Sequence, residues 1–203
     1  MFIIRGLGRR YYERFAMMRE YAFLFPILFR WRKRVWKAII DEIPREAESI
    51  AEIGCGVGSF SAYIKRKFGN KMIYGIDSSC GAIHKAKERY SGRGIIFLRE
   101  NFFNLNEKFD CVVSVHVFTL FDVKEFYKQL KRILSPGGTA ILSFTLPTPF
   151  TRLHRIFYKI VVGDDIVFKE PDFLLQQASA HGFSSYLKKI DWSEGSFLLK
   201  LKI

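Results

Sequence analysis

Between Ser49 and Leu146 the chain alternates short apolar runs with amphipathic stretches, and this alternation limits the fold more than any other feature. Ser49 to Ile53, Lys71 to Ile76, Gly94 to Leu98, Asp110 to Val117 and Thr139 to Phe144 read as strands. Helical stretches lie between most of them. Ser59 is placed to cap one that runs to about Phe68, and Ser79 to Tyr90 forms another. Val123, Phe126, Tyr127, Leu130, Ile133 and Leu134 form the apolar stripe of a third, which Pro136-Gly137-Gly138 stops. Strands joined through helices pair in parallel and are covered on both faces. Pro171 to Ala180 adds a helix, closed by His181-Gly182. Ser184 to Ile190 and Phe197 to Ile203 then follow as two strands with a short connection, which requires an antiparallel pair.

Upstream, Ile27, Trp31, Val35 and Ile39 recur every fourth residue among Arg30, Arg32, Lys33, Arg34 and Lys37. This predicts an amphipathic helix from Pro26 that ends before Pro44, and 10–24 reads as a further helix. The expected organisation is a basic, aromatic helical cap over 1–47 and one α/β domain over 48–203. Residues 147–182 carry an insertion and a helix. At 203 residues, two compact domains would be cramped.

The most specific local pattern is Glu52-Ile-Gly54-Cys55-Gly56-Val-Gly58-Ser59, set between a strand and a helix. Glycines let the backbone turn tightly and come close to a ligand. The helix N-terminus beyond them offers unpaired N–H groups. Nineteen residues past Gly58, at the tip of the next strand, stands Asp77, whose carboxylate can accept from both ribose hydroxyls of a nucleoside. Dinucleotide-binding dehydrogenases place a third glycine where this chain has Ser59. The G-x-G-x-G spacing and the acid two residues before it favour S-adenosylmethionine over NAD.

On these residues the chain resembles the class I S-adenosylmethionine-dependent methyltransferases. The resemblance covers about 48–146. It extends to Phe97-Leu-Arg-Glu-Asn101-Phe102-Phe103-Asn104-Leu105, to Phe109-Asp110-Cys-Val-Val-Ser114, and to Leu130 through Leu142 with its Pro136-Gly137-Gly138 turn. It implies a Rossmann-like, doubly wound sheet of seven strands with a C-terminal antiparallel hairpin, the seventh strand inserted between the fifth and sixth. It also implies the binding residues. Glu52 and the backbone of Gly54, Cys55, Gly56 and Gly58 would hold the methionine end, and Asp77 the ribose, with Ser78 beside the adenine edge. Asn101, where the family commonly has an acid, and Phe102 would line the adenine site. Ser114 and Val115 would sit near the sulfur.

For the acceptor, the substrate-facing candidates are His116 at the end of the fourth strand, Tyr12 in the cap and His154 in the insertion. For His116 the alternative is a histidine that only packs near the cofactor, and for His154 a surface histidine. Cys55 and Cys111 read as packed small residues. No CxxC or HExxH spacing occurs, so no metal is expected.

Charge bears on the partner. The net charge is +13, and residues 1–40 contribute +8 of it, interleaved with nine aromatics from Tyr11 to Trp36. Phe29-Arg-Trp31-Arg32-Lys-Arg-Val35 resembles the corresponding helix of quinone C-methyltransferases and phospholipid N-methyltransferases. The leading expectation is therefore a small or lipid-like acceptor, with peripheral contact to an anionic membrane. The alternatives are an RNA methyltransferase using the same basic patch, and a cofactor-binding protein without catalysis. No Asn/Asp-Pro-Pro-Tyr/Phe tetrapeptide follows the fourth strand, which lowers the case for a base-nitrogen acceptor. The longest uncharged run, Ile133 to Thr151, is broken by Pro136, Gly137, Gly138, Pro147 and Pro149. With no signal-peptide pattern at the N-terminus either, a cytoplasmic location is expected.

Overall fold

The computed structural model describes residues 26–148, 151–152, 168–191 and 195–203, and their side chains apart from those of 26–31 and 191. Seven strands form one sheet: β1 (Ser49–Ile53), β2 (Met72–Asp77), β3 (Ile95–Arg99), β4 (Phe109–Val115), β5 (Leu134–Thr145), β6 (Ser184–Asp191) and β7 (Ser196–Lys202). Their order is β3-β2-β1-β4-β5-β7-β6. β1 to β5 run parallel, and β7 lies antiparallel between β5 and β6. The expected doubly wound sheet with its C-terminal hairpin is what the chain forms.

Among the described residues, helices α1 (Pro26–Glu42), α2 (Ser59–Lys67), α3 (Cys80–Tyr90), α4 (Val123–Ile133) and α5 (Pro171–Ala180) flank it. Val35 and Ile39 of α1, with Ile43 just past its end, join Phe60 and Ile64 of α2 against Ile50, Ile73, Val113, Ile141 and Leu198 of the sheet. The other face buries Phe126, Tyr127, Leu130 and Ile133 of α4 and Leu174 and Ala178 of α5 on Val112, Leu142, Leu199 and Leu201. Every residue of β1 is buried, as a central parallel strand covered on both faces requires.

Two local expectations are corrected. Pro136-Gly137-Gly138 does not precede the fifth strand but lies inside it. β5 pairs first as Phe109↔Leu134, then shifts register and resumes as Cys111↔Thr139, with Gly137 at φ +73° in the bulge. α2 is capped by Gly58 rather than by Ser59; Gly58 sits at φ 77° and makes no side-chain cap. The Ser59 hydroxyl is instead 3.2 Å from the Tyr90 hydroxyl of α3.

The C-terminal end of α1 is tied to the hairpin. Glu42 accepts from Lys188 of β6 (2.9 Å) and Lys200 of β7 (3.2 Å). The Lys188 hydrogen bond, with Lys200 beside it, holds the Glu42 carboxyl below the usual carboxylate range despite burial. A group whose carboxyl is lowered on folding stabilises above its unfolded pKa and loses that contribution as pH falls through its folded value. Glu42→Gln is therefore expected to cost about 1–2 kcal/mol at neutral pH. In urea titrations at stepped pH, the difference from wild type should vanish in acid. An equal difference at every pH would show that the ion pairs contribute nothing.

The strand order turns at β1. The chain steps outward to β2 and β3, then crosses back to β4 on the other side of β1. Open α/β sheets leave a crevice beyond the C-terminal ends of the strands at such a switch point. Glu52, the glycine loop, Asp77, Asn101, Ser114, Val115 and His116 all sit at or just past those ends.

Candidate cofactor site

Each part of the loop after β1 is fixed by a named contact. The N–H groups of Gly54 and Cys55 both donate to the Ile76 carbonyl at the tip of β2 (2.8 and 3.1 Å). One residue further along β2, Asp77 closes the loop. Its Oδ2 accepts from the Gly56 N–H and its Oδ1 from the Ser79 N–H, both at 2.9 Å. Each carboxylate oxygen carries two lone pairs, so each keeps one for a ligand hydroxyl. Asp77 is 4% exposed, and burial raises its carboxyl above the ordinary value while the two N–H groups pull it back.

The three glycines do different work. All have positive φ: 74° at Gly54, 55° at Gly56 and 77° at Gly58. A Cβ at Gly54 would lie 2.6 Å from Cγ2 of Val117, and one at Gly58 would lie 2.6 Å from Cζ of Phe97. A Cβ at Gly56 would meet nothing within 4 Å. Gly54 and Gly58 thus let protein close on the loop, while the space beside Gly56, whose N–H holds the Asp77 carboxylate, is open.

Glu52 is buried, and one of its carboxylate oxygens accepts from the hydroxyl of Ser61 on α2. Cys55 is buried as well. Burial first, then Glu52 and Asp77, push its thiol well above the usual range, which fits a packing role and not a nucleophile. Ser78 is exposed beside Asp77. Asn101 is exposed, and its Oδ1 accepts from the Phe103 N–H at 3.1 Å, leaving the side-chain amide and one lone pair available. Phe102 is buried, with its ring stacked on Phe126 at a centroid distance of 4.5 Å. Ser114 has no exposed surface, and its Oγ has no hydrogen-bond partner among the described residues. Val115 and His116 are half-buried. Tyr12 and His154 lie outside the described residues.

Sequence reasoning missed Ser61, Ser79, Phe97, Val117 and Ser143 as parts of the site. Of these only Ser79, two residues past Asp77 and at a helix start, carried a local signal. Among the described residues no group of three or more His, Cys, Asp or Glu is placed to hold a metal ion.

S-adenosylmethionine fits what is present. The open space beside Gly56, the spare acceptor capacity of Asp77 and the unsatisfied Ser114 hydroxyl would supply a cradle, a ribose ligand and a buried polar contact.

Comparison with known proteins agrees. Residues 51–142 match the methyltransferase domain family model. The fatty-acid O-methyltransferase of Mycolicibacterium smegmatis is 27% identical over 117 residues, covering 55% of this chain and 42% of its own. The 2-phytyl-1,4-naphtoquinone methyltransferase of Nostoc punctiforme is 26% identical over 154 residues, covering 68% of this chain and 67% of its own. The first three curated relatives are spanned over about half their length, 42% to 49%. An S-adenosylmethionine-dependent methyltransferase from Thermotoga maritima superimposes with a TM-score of 0.75 at 20% identity, over 96% of this chain and 98% of that one. With the strand order, the glycine loop and the acid at the tip of β2 in place, residues 51–142 match the methyltransferase domain family, on the fold of the S-adenosylmethionine-dependent methyltransferases.

Proposed function

We propose that the chain transfers the methyl group of S-adenosylmethionine to a small or lipid-like acceptor. The observation that carries this reading is the Asp77 carboxylate, held by the Gly56 and Ser79 N–H groups at the switch point of the sheet. The relatives supply the acceptor class. Their names specify a fatty acid, malonyl-[acyl-carrier protein], a naphthoquinone and a step of ubiquinone biosynthesis.

The bound cofactor supplies an electrophilic methyl on a sulfonium. The protein's task is to hold and align. Asp77 would hold the ribose. Glu52 and the Gly54–Gly58 backbone would take the methionine end. Ser78, Asn101 and Phe102 would line the adenine side, and Ser114 and Val115 the region of the sulfur. Alignment of two reactants supplies on the order of 7–11 kcal/mol. The basic, aromatic residues of 1–40 would draw a lipophilic acceptor from an anionic membrane surface. No described helix is long and apolar enough to cross a membrane.

Calorimetric titration with S-adenosylmethionine, with NAD as control, tests the cofactor. Micromolar binding of the first alone is expected, and binding of NAD alone would overturn the reading. Transfer of labelled methyl to octanoate, catechol and bulk tRNA then tests the acceptor class. Label on a small acceptor is expected, and label on tRNA alone would move the function to RNA.

A further inference from the structure

The apolar stripe that seats α1 on the sheet contains a cation. Val35 and Ile39 are fully buried, and the Trp36 ring packs on Phe60 and Tyr63 of α2, with centroids 5.2 and 5.6 Å apart. Arg32 precedes Val35 by three residues and Trp36 by four, so it occupies the same inward face one turn earlier. It is half-buried, while Lys33, Arg34 and Lys37 are exposed on the opposite side of the helix.

The ends of α1 fix where that turn lies. Glu42 is held by Lys200, which pairs with Ile141 in the middle of β5. Phe60, under Trp36, stands two residues past Gly58 in the first turn of α2. From Glu42 to Trp36, α1 therefore climbs toward the glycine loop. Arg32 lies about 6 Å beyond Trp36 along the axis, and helical side chains lean toward the helix N-terminus. Its head group is thus carried to the mouth of the crevice. The cluster beneath the stripe reaches the same crevice at Val115, the last residue of β4.

The Arg32 guanidinium makes no hydrogen bond or ion pair with another described residue. Burial alone shifts it, to below the ordinary arginine range, and no carboxylate offsets the loss of water. The nearby acids are engaged elsewhere: Asp41 with Lys37, Glu42 with Lys188 and Lys200, Glu52 with Ser61, and Asp77 with the Gly56 and Ser79 N–H groups. A charge taken partly out of water without a counter-ion costs stability. At the mouth of a ligand crevice, a bound anion supplies the missing partner.

Resting on the methyl-transfer reading, we infer that the acceptor is a carboxylic acid and that Arg32 binds its carboxylate. The planar guanidinium matches a carboxylate with two parallel N–H donors. A carboxylate oxygen gives an electron pair to the methyl carbon, and the pair of the breaking carbon–sulfur bond stays on sulfur. The products are a methyl ester and S-adenosylhomocysteine. No proton moves, because the acid is already ionised at neutral pH. The ester is neutral, so it gives up the ion pair and leaves.

Arg32→Gln and Arg32→Lys in the full chain test the assignment. With octanoate as acceptor, Arg32→Gln should raise KM about 10–100-fold, the loss of one charge-assisted contact, while kcat changes little. Arg32→Lys keeps the charge without the fork and should recover part of that loss. Transfer to catechol, uncharged at neutral pH, should not respond to either variant. Calorimetry in the presence of S-adenosylhomocysteine should show octanoate binding to the wild type and not to Arg32→Gln, with S-adenosylmethionine affinity alike in both. The melting temperature of Arg32→Gln should hold or rise, because an unpaired charge leaves the interior. A wild-type KM for octanoate in Arg32→Gln, or a lower melting temperature, overturns the inference. So does a loss of S-adenosylmethionine affinity matching the loss of octanoate binding, which would make the cofactor's own carboxylate the anion. No transfer to octanoate by a wild type that binds S-adenosylmethionine overturns it too. Failure of the wild type to bind S-adenosylmethionine is a separate result, and it sinks the methyltransferase reading itself.

Discussion

Asp77→Ala is expected to lower S-adenosylmethionine affinity by two or more orders of magnitude while leaving the fold intact. The carboxylate would form charge-assisted hydrogen bonds to two ribose hydroxyls. Such bonds contribute about 1.5–3 kcal/mol each, and each 1.4 kcal/mol is about tenfold in binding. Stability should respond differently. Burial raises the Asp77 carboxyl, so the folded chain holds its proton more tightly than the unfolded chain does. Folding stability from this group is therefore lost as pH rises from the unfolded value through the folded one, and the ionised carboxylate works against the fold at neutral pH. Alanine removes that cost and leaves the Gly56 and Ser79 N–H groups without their acceptor, an opposing loss. The melting temperature should thus move little while affinity collapses. Asparagine should do hardly better than alanine. Each carboxylate oxygen accepts from a backbone N–H, so an amide turned either way sets its NH₂ against a donor. Calorimetry and thermal melts on both variants check this, and wild-type affinity in Asp77→Ala would remove Asp77 from the site.

The parts of this site that were legible in the sequence are those encoded within a few residues. Gly54, Gly56 and Gly58 between an apolar run and a helix, with an acid closing the next run, already specify a β-loop-α unit and its ligand-facing acid. The Val123–Ile133 helix was legible because its apolar spacing is regular; the structure adds its cap, Asp122, which accepts from the Lys124 and Glu125 N–H groups. What stayed hidden depends on residues brought together by the sheet. The glycines look alike in sequence. Only the register that sets Phe97 of β3 beside Gly75 of β2 brings the Phe97 ring onto Gly58, and only the turn after β4 sets Val117 on Gly54. The bulge at Pro136–Gly138 reads locally as a turn because the Phe109↔Leu134 pairing that begins the strand before it joins residues 25 apart in the chain.

The distinction among the glycines yields the other large effect. Gly58→Ala should destabilise the protein by roughly 2–4 kcal/mol. The left-handed backbone costs alanine about 1 kcal/mol, and forcing a methyl into a packed interior adds about 1–3 kcal/mol. That methyl would lie 2.6 Å from Cζ and 2.7 Å from Cε1 of Phe97, and 3.1 Å from Cβ of Ala86. All three atoms belong to a cluster closed over by Tyr90, so the ring has little room to retreat. Gly56→Ala shares the backbone penalty, about 1 kcal/mol, but meets no protein atom. Its methyl would fill crevice space instead, so its loss should appear mainly in S-adenosylmethionine affinity. Urea denaturation paired with calorimetry separates the two, with Gly58→Ala changing stability most and Gly56→Ala changing binding most. Adding Phe97→Leu to Gly58→Ala should recover part of the lost stability, because the smaller side chain removes the contact and only the backbone cost remains. If Gly56→Ala proved as destabilising as Gly58→Ala yet bound the cofactor normally, the open side of the loop would not be where the ligand sits.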